Sequence, residues 1–186
     1  MPERAQMRTV QNGPGIVQII SISRTSLRLK SWLPEHISGS KPVVLAGREL
    51  PSQVGTTLSG PMWVLCLGPG EWLLVSDEGE ASSLSEHLGV DLPTHGLALV
   101  DLTHALSGIE VRGSSAREVL SKGCGLDLDP RTFPPGRCAR TRFAQISVVL
   151  ECRDDESPCF QLHLGRSYSH YLHAWLTDAA LEFGTS

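Results

Sequence analysis

Apolar residues come in short runs set off by turn clusters, and that rhythm predicts strands over most of the chain. Ile16–Ile22 is β-branched and reads as a strand, Leu27–Leu33 alternates in part and reads as a second, and Val43–Leu45 is a short one ended by Gly47. Residues 52–61 have loop composition. Met62–Leu67 and Glu71–Ser76 flank Gly68-Pro69-Gly70 as the arms of a hairpin. Leu97–Thr103 and Leu106–Arg112 are strands around His104-Ala105, and Arg140–Phe143, Ile146–Cys152 and Phe160–Leu164 are three more, with Asp154-Asp155-Glu156 turning between the last two.

Helical spacing occurs at three places. Ala81, Leu84 and Leu88 mark a helix over 80–88, stopped by Gly89. Ser115 and Glu118 form a capping-box pair, followed by the apolar face of Ala116, Val119 and Leu120, with Gly123 as the stop. The longest helix covers 167–182, with Tyr168, Tyr171, Leu172, Trp175, Leu176 and Ala179 on one stripe. Residues 1–14 read as a loose arm, and 127–137, with three prolines and Gly136, as a stiff loop. The second half thus orders β-β-α-β-β-β-α, and the first half is roughly similar. The fold class is α+β: antiparallel sheets with helices packed on one side, in two similar lobes of one domain over 1–186.

Composition narrows the function. The chain has 186 residues, with 16 basic and 20 acidic side chains for a net charge of −4. Only 19% of residues are charged, against a usual share of about 25%, so much of the surface is neutral and cheap to bury against a partner. The acidic balance excludes a general nucleic-acid footprint. No run approaches the roughly 20 apolar residues of a membrane span, and Arg4 and Arg8 precede no apolar core of a signal peptide, which favours the cytoplasm. Five cysteines without repeated spacing suit a reducing compartment.

No complete catalytic or cofactor motif stands in the sequence. His170 and His173 have metal-ligand spacing and would need a third group from His163, Cys159 or Glu182; the plainer reading is the outer face of a helix. Cys124 follows a helix C-terminus, where the dipole disfavours a thiolate, so it reads as structural. Lys122-Gly123-Cys124 resembles part of a motif of folate-dependent iron–sulfur maintenance proteins, but the match stops after three residues. Leu67-Gly68-Pro69-Gly70-Glu71 is too short for a phosphate cradle. Asp101 with His104 could act as an acid–base pair or cap a turn, and Asp127 and Asp129 also sit near element ends. Arg131, Arg137, Arg140 and Arg142 read as a partner-facing or carboxylate-pairing patch.

Three stretches together are familiar. They are Leu67–Leu74; Val100–His104, leading through Val111-Arg112-Gly113 to Ala116–Leu128; and Pro130–Thr141, with Arg166-Ser167-Tyr168 and Trp175-Leu176 further on. Over roughly residues 60–182 they resemble the gamma subunits of heterotetrameric sarcosine oxidases, and the loop Pro130-Arg131-Thr132-Phe133-Pro134-Pro135-Gly136 is no generic turn. The resemblance implies a fold like the folate-binding domain of the glycine-cleavage T-protein. It implies a non-catalytic subunit of a flavoenzyme that demethylates sarcosine to glycine, with alpha, beta and delta subunits as partners. It places FAD, FMN, NAD, zinc and the use of tetrahydrofolate on those other subunits, and no catalytic, cofactor or metal residue on this chain. A stand-alone folate-binding protein of the T-protein type is the alternative, and a homo-oligomeric scaffold a third. For the interface, the stiff loop supplies Arg131, Phe133, Pro134, Pro135 and Arg137, because a proline-rich loop loses little entropy on docking; the loop could equally pack on its own domain.

Overall fold

The structure, a computed structural model, describes residues 17–45, 47–76 and 92–183. The arm of residues 1–14 and the helix expected over 80–88 lie outside the described residues. In chain order the elements are β1 (Gln18–Ile22), β2 (Thr25–Ser31), α1 (Pro34–Ile37), β3 (Val44–Leu45), β4 (Arg48–Glu49), β5 (Thr57–Leu58), β6 (Met62–Gly68), β7 (Glu71–Ser76), β8 (Leu97–Asp101) and β9 (Leu106–Arg112). They continue with α2 (Ala116–Ser121), β10 (Cys138–Phe143), β11 (Ile146–Asp154), β12 (Cys159–Gly165) and α3 (Ser169–Ala180). The chain divides into two compact units, residues 24–105 and the C-terminal part from 106 joined by the N-terminal segment up to 23. No helix among the described residues is long and apolar enough to cross a membrane.

The unit of residues 24–105 is built on an antiparallel sheet ordered β5-β6-β7-β2-β8. The expected hairpin forms between β6 and β7, and its turn needs Gly70, which has φ +64° and would bring a Cβ to 3.2 Å from the Ser31 carbonyl. Period-2 patterning puts Leu27 and Leu29 of β2, Val64 and Cys66 of β6, and Trp72 and Leu74 of β7 in one buried cluster. Val43, Leu45 and Leu50 close over it, and the Trp72 indole N–H donates to the Pro51 carbonyl at 2.7 Å. Residues 52–61, expected as loop throughout, contain β5, a two-residue edge strand held by pairing to β6. So short a segment among Gly, Ser and Pro has no pattern of its own. β8 and β9 form where expected but do not pair with each other: β8 joins β2, and β9 belongs to the second sheet.

That second sheet runs β1-β9-β12-β11-β10, again antiparallel. The division into sequential halves is therefore corrected, because β1 crosses to the C-terminal unit and pairs Gln18 with Arg112 through Ile22 with Gly108. Ile109, Val111, Val148, Leu150, Phe160 and Leu162 point to one face, where Val119 and Leu120 of α2 and Leu172 and Leu176 of α3 cover them. Each such buried side chain stabilises by about 1.5–3 kcal/mol in transfer terms. On α3 the buried stripe is Leu172, Leu176 and Ala180, while Tyr168 and Tyr171, expected on the stripe, stay half exposed at the start of the helix.

One local expectation fails instructively, and the helix stop at Gly123 holds. The capping box at Ser115 does not form: its φ/ψ of −97°/15° is not the extended conformation a capping side chain needs, and it makes no side-chain cap bond. The helix is entered instead through a backbone turn, with Ala116 N–H donating to the Gly113 carbonyl at 3.0 Å. Gly123 also serves packing, since a Cβ there would lie 2.7 Å from the rings of both Phe143 and Trp175, which meet edge to face. Gly123→Ala is expected to destabilise by about 2 kcal/mol, the cost of overpacking a filled core. Urea denaturation checks it; an unchanged midpoint would show that the two rings give way freely.

Candidate functional site

The stiff loop is held from below by one side chain. Arg117 of α2 is mostly buried, and its guanidinium lies over the Phe160 ring at 4.8 Å. It donates to the Leu128 carbonyl, reaches the Phe133 carbonyl at 3.5 Å, and pairs with Asp155 in the turn between β11 and β12. One cation thus ties both ends of the 128–133 stretch, and the 155 turn, to the helix. Phe133 itself is buried in the core. The loop then leaves along β11: Gly136 N–H donates to the Cys152 carbonyl at 3.1 Å, and Cys152 N–H to the Arg137 carbonyl at 3.0 Å.

Within the loop, Asp127 accepts from Asp129 N–H at 3.0 Å and from the Thr132 hydroxyl at 2.9 Å. Asp129 accepts from Arg131 twice at 2.9 Å, from its backbone N–H and its Nε. These Arg131 bonds hold the Asp129 carboxyl at about 2. Both aspartates are therefore turn-forming groups. Of the residues expected at the interface, Arg131 and Pro135 are exposed, Pro134 and Arg137 are half-buried, and Phe133 anchors the loop from inside. The loop is therefore a prefolded ridge that presents Arg131 and Pro135.

A second polar constellation lies on the sheet face away from the helices. Glu151 of β11 is fully buried, and its Oε1 accepts from Arg153 Nε at 3.0 Å, from Arg153 Nη2 at 2.8 Å and from His163 Nε2 at 2.9 Å. Its Oε2 has no hydrogen-bond partner among the described residues. Burial pushes this carboxyl up, but the His163 and Arg153 bonds and charges outweigh it, and it stays below the usual carboxylate range. Beside it, Glu110 of β9 accepts from Gln161 at 2.8 Å and pairs with Arg112. Strand alternation brings most of these groups together, since Glu151, Gln161 with His163, and Glu110 with Arg112 share a face of β11, β12 and β9, and Arg153 joins them at the register shift between Cys152 and Asp154.

The other candidates separate. His170 and His173 share a turn of α3, where burial and then the His170 charge lower the His173 imidazole. His163, a possible third ligand, is engaged by Glu151 on the sheet. Among the described residues no group of three or more His, Cys, Asp or Glu is placed to hold a metal ion. Asp101 accepts from Thr103 N–H at 2.8 Å, so it closes the turn after β8; His104 is exposed. Cys124 is buried with its Sγ 3.7 Å from the Thr141 hydroxyl. Burial pushes the Cys152 and Cys159 thiols up to about 11, away from thiolate chemistry. In the other unit, Trp32, Ile37 and Val44 are each about half exposed, and Val44 lines a cavity of about 650 Å³ with His36, Lys41 and His95.

Comparison with known structures gives the class first. The fold matches glycine cleavage system aminomethyltransferase T from Bartonella henselae with a TM-score of 0.66, over 89% of this chain and 46% of that one, at 13% identity, a likeness of fold alone. It matches a chain of the heterotetrameric sarcosine oxidase from Corynebacterium sp. U-96, in complex with pyrrole 2-carboxylate, with a TM-score of 0.75 and 30% identity, over 91% of this chain and 86% of that chain. This is a T-protein-like α+β architecture. The model of the sarcosine oxidase, gamma subunit family matches residues 41–182. Sarcosine oxidase subunit gamma from an Arthrobacter species is 36% identical over 141 residues, covering 75% of this chain and 68% of that protein. The subunit gamma from Corynebacterium sp. (strain U-96) is 34% identical over 165 residues, covering 87% and 78%. The chain belongs to the sarcosine oxidase gamma subunit family, as the Pro130–Gly136 loop and its flanking stretches implied.

Arg117, Glu151 and Arg153 escaped the sequence reading. For the two strand residues the signal was present in part: β9, β11 and β12 each carry one pair of polar side chains two residues apart, Glu110 and Arg112, Glu151 and Arg153, and Gln161 and His163.

Proposed function

We propose that this chain is the gamma subunit of a heterotetrameric flavoenzyme that oxidatively demethylates sarcosine or a closely related N-methyl amino acid. The observation that carries this is the family match over residues 41–182. On this reading the partners are alpha, beta and delta chains in the cytoplasm. FAD, FMN, NAD and zinc belong to those chains, and tetrahydrofolate accepts the one-carbon unit there. This chain supplies surfaces and no reacting group. The prefolded ridge of Arg131 and Pro135 supports that role, because a loop fixed before docking loses little entropy on binding. The half-exposed Trp32, Ile37 and Val44 offer a second, apolar surface of the kind interfaces bury.

Co-expression with the neighbouring genes tests it. The chain is expected to co-purify in the complex, and the complex to release peroxide on adding sarcosine. Peroxide from the isolated chain would overturn the non-catalytic role, and failure to co-purify would overturn the subunit role. Calorimetric binding of a reduced folate by the isolated chain would favour a T-protein-type ligand function instead.

A further inference from the structure

The C-terminal unit holds a built cavity that the loop does not involve. It has about 510 Å³ and is lined by Lys122 after α2, by Arg142 and Gln145 at the β10–β11 turn, and by Tyr171 and Trp175 of α3. The turn is strained. Ala144 and Gln145 both have positive φ, 44° and 75°, where glycine or asparagine would sit at ease. Such a conformation persists only where its surroundings fix it. Three bonds do so: the Tyr171 hydroxyl donates to the Ala144 carbonyl at 2.8 Å, Arg142 Nη2 to the Gln145 carbonyl at 3.1 Å, and Ala144 N–H to the Gly123 carbonyl at 3.0 Å. The cavity wall is rigid before anything enters.

Its charge is one-sided. Two cations line it and no acid does. Lys122 donates to the Ala179 carbonyl at 2.6 Å, lies over the Phe183 ring at 4.6 Å, and pairs with the carboxylate of exposed Glu182. The chain's own acid therefore shows what the ammonium donates to. Arg142 is exposed and pairs with no acid among the described residues. A guanidinium has five N–H donors, of which the Gln145 bond uses one. Tyr171 and, three residues before it at the start of the helix, Tyr168 are both half exposed. Arg, Tyr and Trp around a rigid recess form the composition of an interface hot spot.

We infer that this cavity receives an acidic side chain of a partner subunit, its carboxylate held by Arg142 and its apolar neighbour packed on Tyr171 and Tyr168. The inference rests on the subunit reading above and adds where and by what chemistry a partner attaches.

The assembled complex tests it. Arg142→Glu is expected to weaken association of the chain with its partners by at least about tenfold, as for one close charge pair, with Arg142→Lys in between. Circular dichroism of each isolated variant should be unchanged. Hydroxyl-radical footprinting of the unaltered complex reads the same surface without a substitution: Tyr168 and Tyr171 should lose most of their reactivity on assembly. If the unaltered chain fails to co-purify, the subunit reading falls and takes this inference with it. If it co-purifies but Tyr168 and Tyr171 stay as reactive as in the free chain, or a folded Arg142→Glu assembles equally well, the inference alone is overturned.

Discussion

Glu151→Ala is expected to lower the unfolding free energy by about 4 kcal/mol at neutral pH, the cost of breaking a buried ion pair from one side. The Glu151 carboxylate gathers two donors of Arg153 and one of His163 onto a single oxygen. The Arg153 and His163 side chains are themselves 10% and 4% exposed, so the alanine variant takes a carboxylate away from a guanidinium that is nearly out of water. Most of the penalty falls on Arg153, two of whose donors lose their acceptor. Replacing all three groups with apolar residues of similar volume should be far less damaging than removing Glu151 alone, because no charge is then stranded. The pH dependence has a definite sign. The folded-state carboxyl lies below its ordinary value of 4.5, so its contribution is present above about 4.5 and is lost as pH falls through the lower, folded value. Wild type and Glu151→Ala should therefore converge in stability on the acid side. Urea denaturation at neutral and acid pH measures both effects, and parallel curves at every pH would show that Glu151 is not ionised in the fold.

This network also marks where reading the sequence stops. The hairpin at 62–76 and the three strands from 138 to 165 are visible because apolar alternation is local and Gly68-Pro69-Gly70 and Asp154-Asp155-Glu156 mark their turns. The same alternation sends Glu110, Glu151, Gln161 and His163 to solvent, since a polar residue at every second position normally faces water. Here that face is buried too, which only the three-dimensional structure reveals. The partner of β1 was equally hidden: Gln18 meets Arg112, and nothing in Gln18–Ile22 names a strand so distant in the chain. The capping-box pattern misled because it is necessary for the motif and not sufficient; the backbone at Ser115 never becomes extended. For the candidate interface, composition picked out the loop, but its anchor is a single arginine on a helix read only for its apolar face.

That anchor gives the second large effect. Arg117→Met keeps a stem able to pack on Phe160 and removes the cation, so the loss is confined to what the charge holds. The Leu128 and Phe133 carbonyls and Asp155 lose their common donor. Hydrogen bonds from a charged donor stabilise by about 1.5–3 kcal/mol each. Asp155 is about one-third exposed and partly screened by water, so its share is discounted. The expected loss is about 3 kcal/mol in urea denaturation. It should also be uneven. Phe133 stays buried and the Asp127, Asp129 and Thr132 bonds are internal to the loop, so the turn should keep its shape while its attachment loosens. Limited proteolysis should then cut within 127–137 of the variant well before it cuts the strands, and wild type should resist there. Assembly separates the two roles of this arginine. If the ridge is the docking surface, the variant should co-purify with partner subunits more weakly than its residual stability explains, because the loop must be ordered again on binding. Leu162→Ala, which leaves a void in the core under the sheet, is the control for stability alone. Equal assembly by the two variants at matched stability would mean that the ridge packs only on its own unit and that the partner contact lies elsewhere.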